Sequence, residues 1–303
     1  MTQSENKQIE LSVVIAAWNG VSLLSDCLSS LEKQIEKGGA AEVIVVSNFE
    51  TGISESKKRF PFAQHIVLSE KTTVPELRAR GILQAQGAIV ALLEDFCTFD
   101  CKWREEIEKA HEKPYSIVGG AVENFSGATA LDWAVYFYDY GKYMLPVTSG
   151  VTDALSGMNV SYKREVLDPL RENYENGFFE FFIHEEFKRR GHQLYIIPSA
   201  VIFHNKNYNL KRVSTQFYHQ ARSFAARRVV GFPLSKRFSF LLVSLTLPIL
   251  LPARILLRTI SKKRHFKELI KSAPFLMILM SVWAYGEFCG YLSGEGSSGK
   301  EWK

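Results

Sequence analysis

The chain has 303 residues, 46% of them hydrophobic and 13% aromatic, with a net charge of +5. That length holds one large domain or two modest ones, and that apolar content excludes a disordered protein. The charge is uneven: residues 1–204 carry 20 Lys/Arg against 28 Asp/Glu, and residues 205–271 carry 15 against Glu268 alone.

Residues 11–17 are β-branched and apolar and predict a first strand, broken by the turn signal Trp18-Asn19-Gly20. Leu24, Cys27, Leu28, Leu31 and Ile35 then recur at helical spacing, and Gly38-Gly39 ends that helix. Residues 43–46 predict a second strand, with Ser47 and Asn48 at its C-terminal end, and residues 66–68 a short third. Pro75 opens a helix through Gln86, with Gly87 as its stop. Residues 89–93 are five apolar residues in a row, the mark of a buried strand, and Glu94 and Asp95 follow at its end. A helix over about 102–112 comes next. Strand and helix in alternation mean βαβ units and a mostly parallel sheet. Ligands of such sheets sit at the C-terminal strand ends, where paired acids can hold a metal or a sugar hydroxyl. Two solvated loop acids are the plainer reading.

No GxGxxG occurs, which weighs against a dinucleotide-binding dehydrogenase. The stretch from Gly294 to Lys300 approaches a phosphate-binding loop, but Glu301 stands where Ser or Thr is needed. A flexible tail from about 293 is expected instead. The four cysteines suggest reduced thiols, and Cys97 with Cys101 lacks the second pair that zinc requires. The polar opening MTQSENKQIE is not expected to be a signal peptide.

Several segments together carry a family resemblance. SVVIAAWN at 12–19 resembles the SVVIPTYN opening strand of family 2 glycosyltransferases, and residues 42–48 resemble their second strand. Leu77-Arg78-Ala79-Arg80-Gly81 resembles their A-R-N-x-G helix. Leu93-Glu94-Asp95-Phe96, with Trp103 beyond, falls where the family has its D-x-D element and following tryptophan. Residues 157–164 are similar to its G-x-N-x-x-x-[RK]-R segment, Glu180 falls on its catalytic acid, and residues 198–204 resemble its P-x-A-x-V-x-H strand. The resemblance covers roughly residues 10–205, in order and at family spacing.

It implies a GT-A fold over 1–205 and transfer of a sugar from a nucleotide-diphosphate donor to an acceptor hydroxyl, with inversion. Ala16, Ala17, Trp18, Ser47 and Asn48 would hold the nucleotide, with Arg78 in the same donor set. Glu94 would sit by the ribose and Asp95 by the diphosphate or its Mg²⁺ or Mn²⁺, with His204 as the second metal ligand. The family's usual last acid aligns with Phe96, which cannot bind a metal, and its usual uracil-binding Asp aligns with Ser47. If no metal is held, cations such as Arg222 would meet the leaving-group charge. Glu180 would be the general base, with Glu185 as competitor; a solvated helix face is the plainer account of Glu185 and Glu186. The aromatic block 136–143 would face the acceptor or fill a core. A non-catalytic sugar-nucleotide-binding or scaffold protein is the alternative function.

The second part, 206–303, holds two apolar runs, 238–253 and 272–286, each shorter than the roughly 20 residues a span needs. Basic flanks precede the first run and fill 254–271, so both favour the cytoplasmic side. Helices lying in the interface, or a shallow re-entrant hairpin, satisfy both at the cytoplasmic membrane face, with a soluble helical subdomain as the competing reading. No nucleic-acid-binding motif accompanies the basic charge, so nucleic acid is not expected as a partner. The expected partners are a nucleotide-diphospho-sugar, a glycan or lipid-linked acceptor, and the membrane surface.

Overall fold

The structure, a computed structural model, describes residues 9–301. Most of the polar opening segment therefore lies outside the described residues. The strands in chain order are β1 (Leu11–Ala17), β2 (Ala41–Ser47), β3 (Ala63–Val67), β4 (Ile89–Glu94) and β5 (Cys97–Phe99). β6 (Ile117–Asn124), β7 (Gly150–Thr152), β8 (Val160–Lys163) and β9 (Leu194–His204) complete them. The first helices are α1 (Val21–Lys37), α2 (Ile53–Arg59), α3 (Val74–Gln84), α4 (Trp103–His111) and α5 (Ala130–Asp139). Short helices α6 (Arg164–Leu167) and α7 (Arg171–Tyr174) precede α8 (Glu180–Arg189). α9 (Leu210–Arg228), α10 (Leu234–Ser244), α11 (Leu247–Lys262) and α12 (Phe266–Ser293) follow.

One sheet runs β3-β2-β1-β4-β8-β6-β9-β5, with β7 added on β9. Its first block, β3-β2-β1-β4, is parallel as expected. β8 then pairs antiparallel with both β4 and β6, and β5 and β7 pair antiparallel with β9, making the sheet mixed. All seven residues of β1 are buried, which is what a central strand covered on both faces demands. α3 starts on a capping box, Thr73 with Glu76, and Pro75 sits in its first turn. Gly81 lets that helix lie on β1: a Cβ there would stand 2.2 Å from Val14 Cγ1.

The chain divides into two compact units, one through Glu123 plus Tyr143–Asn205, the other Asn124–Lys142 plus the segment from Lys206. The first holds the sheet. The second takes α5 together with the helices after Lys206, so most of the aromatic block belongs to it, with Tyr136 and Phe137 fully buried. In this second unit α9 lies close along the C-terminal half of α12, where a Cβ on Gly286 or Gly290 would meet backbone oxygens of Tyr218 and Arg222 at 2.6 and 2.4 Å. Tyr138, Phe217 and Trp283 pack their rings 5.0–5.9 Å apart. Glu287, buried, accepts from Trp283 Nε1 and Tyr291 OH.

The segment after Ser293, expected as a flexible tail, is instead anchored within this unit. Glu295 pairs with Arg227 at 2.9 Å, Ser298 is buried against His219 Nδ1 at 3.0 Å, and Arg222 Nε donates to Gly294 O. Arg222, considered as a leaving-group cation, thus serves the second unit's own packing.

Candidate active site

Parallel pairing brings the predicted residues to one edge of the sheet. Ala16 is in register with Glu94, and Ala17 with Ser47. The backbone ties them further: Asp95 N donates to Ala16 O, and Asn48 N donates to Ala17 O. Ser47 is fully buried and its hydroxyl donates to Phe49 O at 3.0 Å, while Asn48 Nδ2 donates to Thr72 O. These two side chains shape the β2 turn.

Asp95 is fully buried, and its carboxylate accepts from Trp18 N at 3.0 Å and from Asn19 N and Nδ2, both at 2.7 Å. A carboxylate offers about four acceptor positions, so three are engaged in folding the turn after β1. Its neighbour Phe96 stands edge-on between Trp18 (5.5 Å) and His204 (5.2 Å). His204, fully buried, therefore lies against a phenyl ring at the place considered for a metal. Among the described residues no group of three or more His, Cys, Asp and Glu can hold a metal ion. The side chains present do not fit a divalent cation held by protein ligands: the oxygens of Asp95 face N–H groups, and the adjoining position is aromatic.

Arg78 unites the site. From α3, its Nη2 pairs with Glu94 at the end of β4, and its Nη1 pairs with Glu180 Oε2 at 2.5 Å. Arg78 and Glu94 are nearly buried, whereas the Glu180 side chain keeps 32% of its surface exposed. Glu180 opens α8, where the helix dipole favours an acid. The preceding segment is held by Phe178 N donating to Pro75 O at 2.8 Å. Gly157 gives the carboxylate its space, since a Cβ there would lie 2.8 Å from Glu180 Cδ. One cation thus joins an acid at the end of β4 to an acid that reaches solvent.

Glu185 stands elsewhere, on the outer face of α8 beside Lys188. Glu186 lies in a separate cluster, where Arg189 and Arg190 hold its carboxyl down at about 2. Neither joins the Arg78 cluster. A pair that sequence reasoning missed does adjoin it: Tyr162 OH and His184 Nε2, 2.8 Å apart and both buried. Burial lowers His184 to about 4, against the opposing pull of Glu180, so the imidazole is neutral at pH 7. His184 falls one helical turn after Glu180, a spacing that was visible in the sequence.

The model of the family described as Glycosyl transferase family 2 matches residues 12–171, more than half of the chain. The chain belongs to this family. Within the family 2 pattern, two further residues turn out to be structural. Asn159 donates from Nδ2 to Ala121 O and Ala200 O and accepts from Trp103 Nε1, clasping the antiparallel half of the sheet. Among curated proteins, glycosyltransferase AglE of Haloferax volcanii is 29% identical over 119 residues, 37% of this chain and 39% of that protein. A solved structure of GalNAc-T7 with UDP, GalNAc and Mn²⁺ matches with a TM-score of 0.52 at 14% identity. That match covers 68% of this chain and 45% of the other, and shows that the fold is GT-A. The chain spans less than half the length of either relative.

Proposed function

We propose that this family 2 member is an inverting glycosyltransferase, taking a sugar from a nucleoside-diphosphate donor to a hydroxyl of a lipid-linked or envelope glycan. The reading places it peripherally at the cytoplasmic face of a membrane. The observation that carries it is the Arg78 bridge, which sets Glu180 beside the strand end that bears Glu94.

In this reading the nucleotide lies along the ends of β1, β2 and β4, with its ribose hydroxyls toward Glu94. Arg78 supplies buried positive charge that can turn toward a phosphate oxygen. Its grip on Glu180 Oε2 leaves the second carboxylate oxygen for the acceptor. That oxygen takes the hydroxyl proton from within about 3 Å as the acceptor oxygen bonds to the anomeric carbon. The bond from that carbon to the diphosphate oxygen breaks, and the nucleoside diphosphate leaves with the electron pair. Attack from the opposite side inverts the centre.

Calorimetric titration with nucleoside diphosphates tests the donor half, with saturable binding as the expected result. Glu180→Gln tests the base: kcat should fall by about 100-fold or more with donor affinity retained. An unchanged rate would remove Glu180 from the chemistry. The scaffold alternative draws on the Ser47 hydroxyl and the Phe96 ring, which give a nucleotide or metal so little to hold. Absence of binding to every nucleotide would establish it in place of the enzyme.

A further inference from the structure

The α10–α11 segment is built inside out. Its buried positions are Ser244, Ile255 and Thr259, the two hydroxyls being satisfied within their own helices by Leu241 O and Ile255 O. Its large apolar side chains face outward: Leu234 is 82% exposed, Ile249 74% and Leu257 69%, whereas Ser244 and Thr259 are 1% exposed. On α10 the exposed residues Leu234, Phe238 and Leu242 recur at helical spacing, continued by Leu245 just past its end, and on α11 so do Ile249, Leu256, Leu257 and Ile260. Exposed apolar stripes of this size mark a surface that meets something other than water. The inner face of α10 is already occupied, with Phe240 and Leu241 packed on the cluster of Ala225, Val229 and Tyr291.

Charge and geometry identify the occupant. Lys236 and Arg237 stand at the start of α10, Arg254 and Arg258 lie within α11, Lys262 closes it and Lys263, Arg264 and Lys267 follow, while 238–253 carries no charge. The two helices meet at a 65° bend. At about 1.5 Å per residue the arms are about 16 and 24 Å long, each less than the roughly 30 Å hydrocarbon core. A span would also carry one basic end across to the far side. α12 is long and apolar enough to cross a membrane, but its C-terminal half is fastened along α9, whose Arg227 pairs with Glu295.

We propose that the α10–α11 elbow lies within one leaflet of an anionic bilayer, its apolar stripes in the acyl boundary and its basic ends at the headgroups. This deepens the membrane location proposed above and is independent of the sugar-transfer chemistry. The purified full chain would be floated with preformed phosphatidylcholine vesicles, with and without about one-third phosphatidylglycerol. Flotation at least tenfold stronger on the anionic vesicles, lost in Ile249→Glu/Leu257→Glu with an unchanged unfolding midpoint, is the expected result. A double variant that still floats like the wild type would overturn the elbow while leaving the membrane location standing. A wild-type chain that floats with neither vesicle would overturn both. Lys263→Cys on bound protein should react with an impermeant maleimide added outside sealed vesicles, read on its own peptide by mass spectrometry. Labelling that requires vesicle lysis would show a crossing and overturn the in-plane arrangement. Nucleotide titration remains a separate readout, so failure of the donor site and failure of the elbow are told apart.

Discussion

Arg78→Met is the substitution that most directly probes how the site is held together. Methionine keeps much of the side chain's length and apolar stem but removes the charge between Glu94 and Glu180. Arg78 and Glu94 keep only 7% and 8% of their side-chain surface exposed, so the loss strands a carboxylate out of water. Breaking a buried pair by removing one partner costs about 3–5 kcal/mol. Glu180 is about one-third exposed, and its share is that of a solvated pair, about 0–1 kcal/mol. The expected loss is therefore about 4 kcal/mol, nearly a thousandfold in the folding equilibrium. Adding Glu94→Gln removes the stranded charge and should recover about 2 kcal/mol, an interaction that a double-mutant cycle reads directly. Urea unfolding followed by circular dichroism gives these differences, provided the slopes with denaturant agree. A loss below about 1 kcal/mol for Arg78→Met, or no recovery in the double variant, would refute the view of Arg78 as a buried bridge.

Gly157→Ala acts first on Glu180, because the three atoms nearest the new methyl are its Cδ, Oε1 and Cγ. It should lower kcat at least about tenfold while donor affinity and unfolding midpoint change little; an unaltered kcat in a transfer assay would mean that Glu180 need not hold this position. Acid sensitivity follows from His184 and from His111, both lowered to about 4 by burial. The unfolded chain takes up these protons near pH 6.5 and the folded chain only near 4, so stability rises with pH across that window and is lost on acidification. His184→Gln should lessen the drop between pH 6.5 and pH 4.5 by about one proton's worth, 1.4 kcal/mol per pH unit at most, in paired unfolding curves. Identical slopes for variant and wild type would show that His184 takes up its proton equally in the folded and the unfolded chain.

What the sequence disclosed was local. β1 spans the residues read as the first strand, because a β-branched run closed by Asn-Gly leaves little choice of ends. The start of α3 was legible in Pro75, whose fixed backbone suits a first helical turn. The antiparallel half was not. β8 and β9 take their places through distant partners such as Lys163 with Ile89, and no short pattern announces such pairing. Site residues divide in the same way. Glu94, Arg78 and Glu180 were each picked out singly, but a bridge between them exists only once α3, β4 and α8 are assembled. Asp95 was read as a group facing the donor, since its acidity was visible and the N–H groups of Trp18 and Asn19 converging on it were not. The apolar faces of α10 and α11 were half legible: the sequence suggested helices for an interface, but only the fold shows that Leu234, Ile249 and Leu257 turn outward and Phe240 and Leu241 inward.

The two arms of Arg78 differ in how far they reach along the chain. Glu94 lies 16 residues away, Glu180 102 residues away. Closing the longer loop costs more entropy and needs more chain, so the first pairing is available well before the second. On the ribosome, β1 through β4 can draw together while α8 is still being made. On the proposed function, a nascent or truncated polypeptide of that length would have the strand ends that take the donor but not Glu180, and so would transfer no sugar.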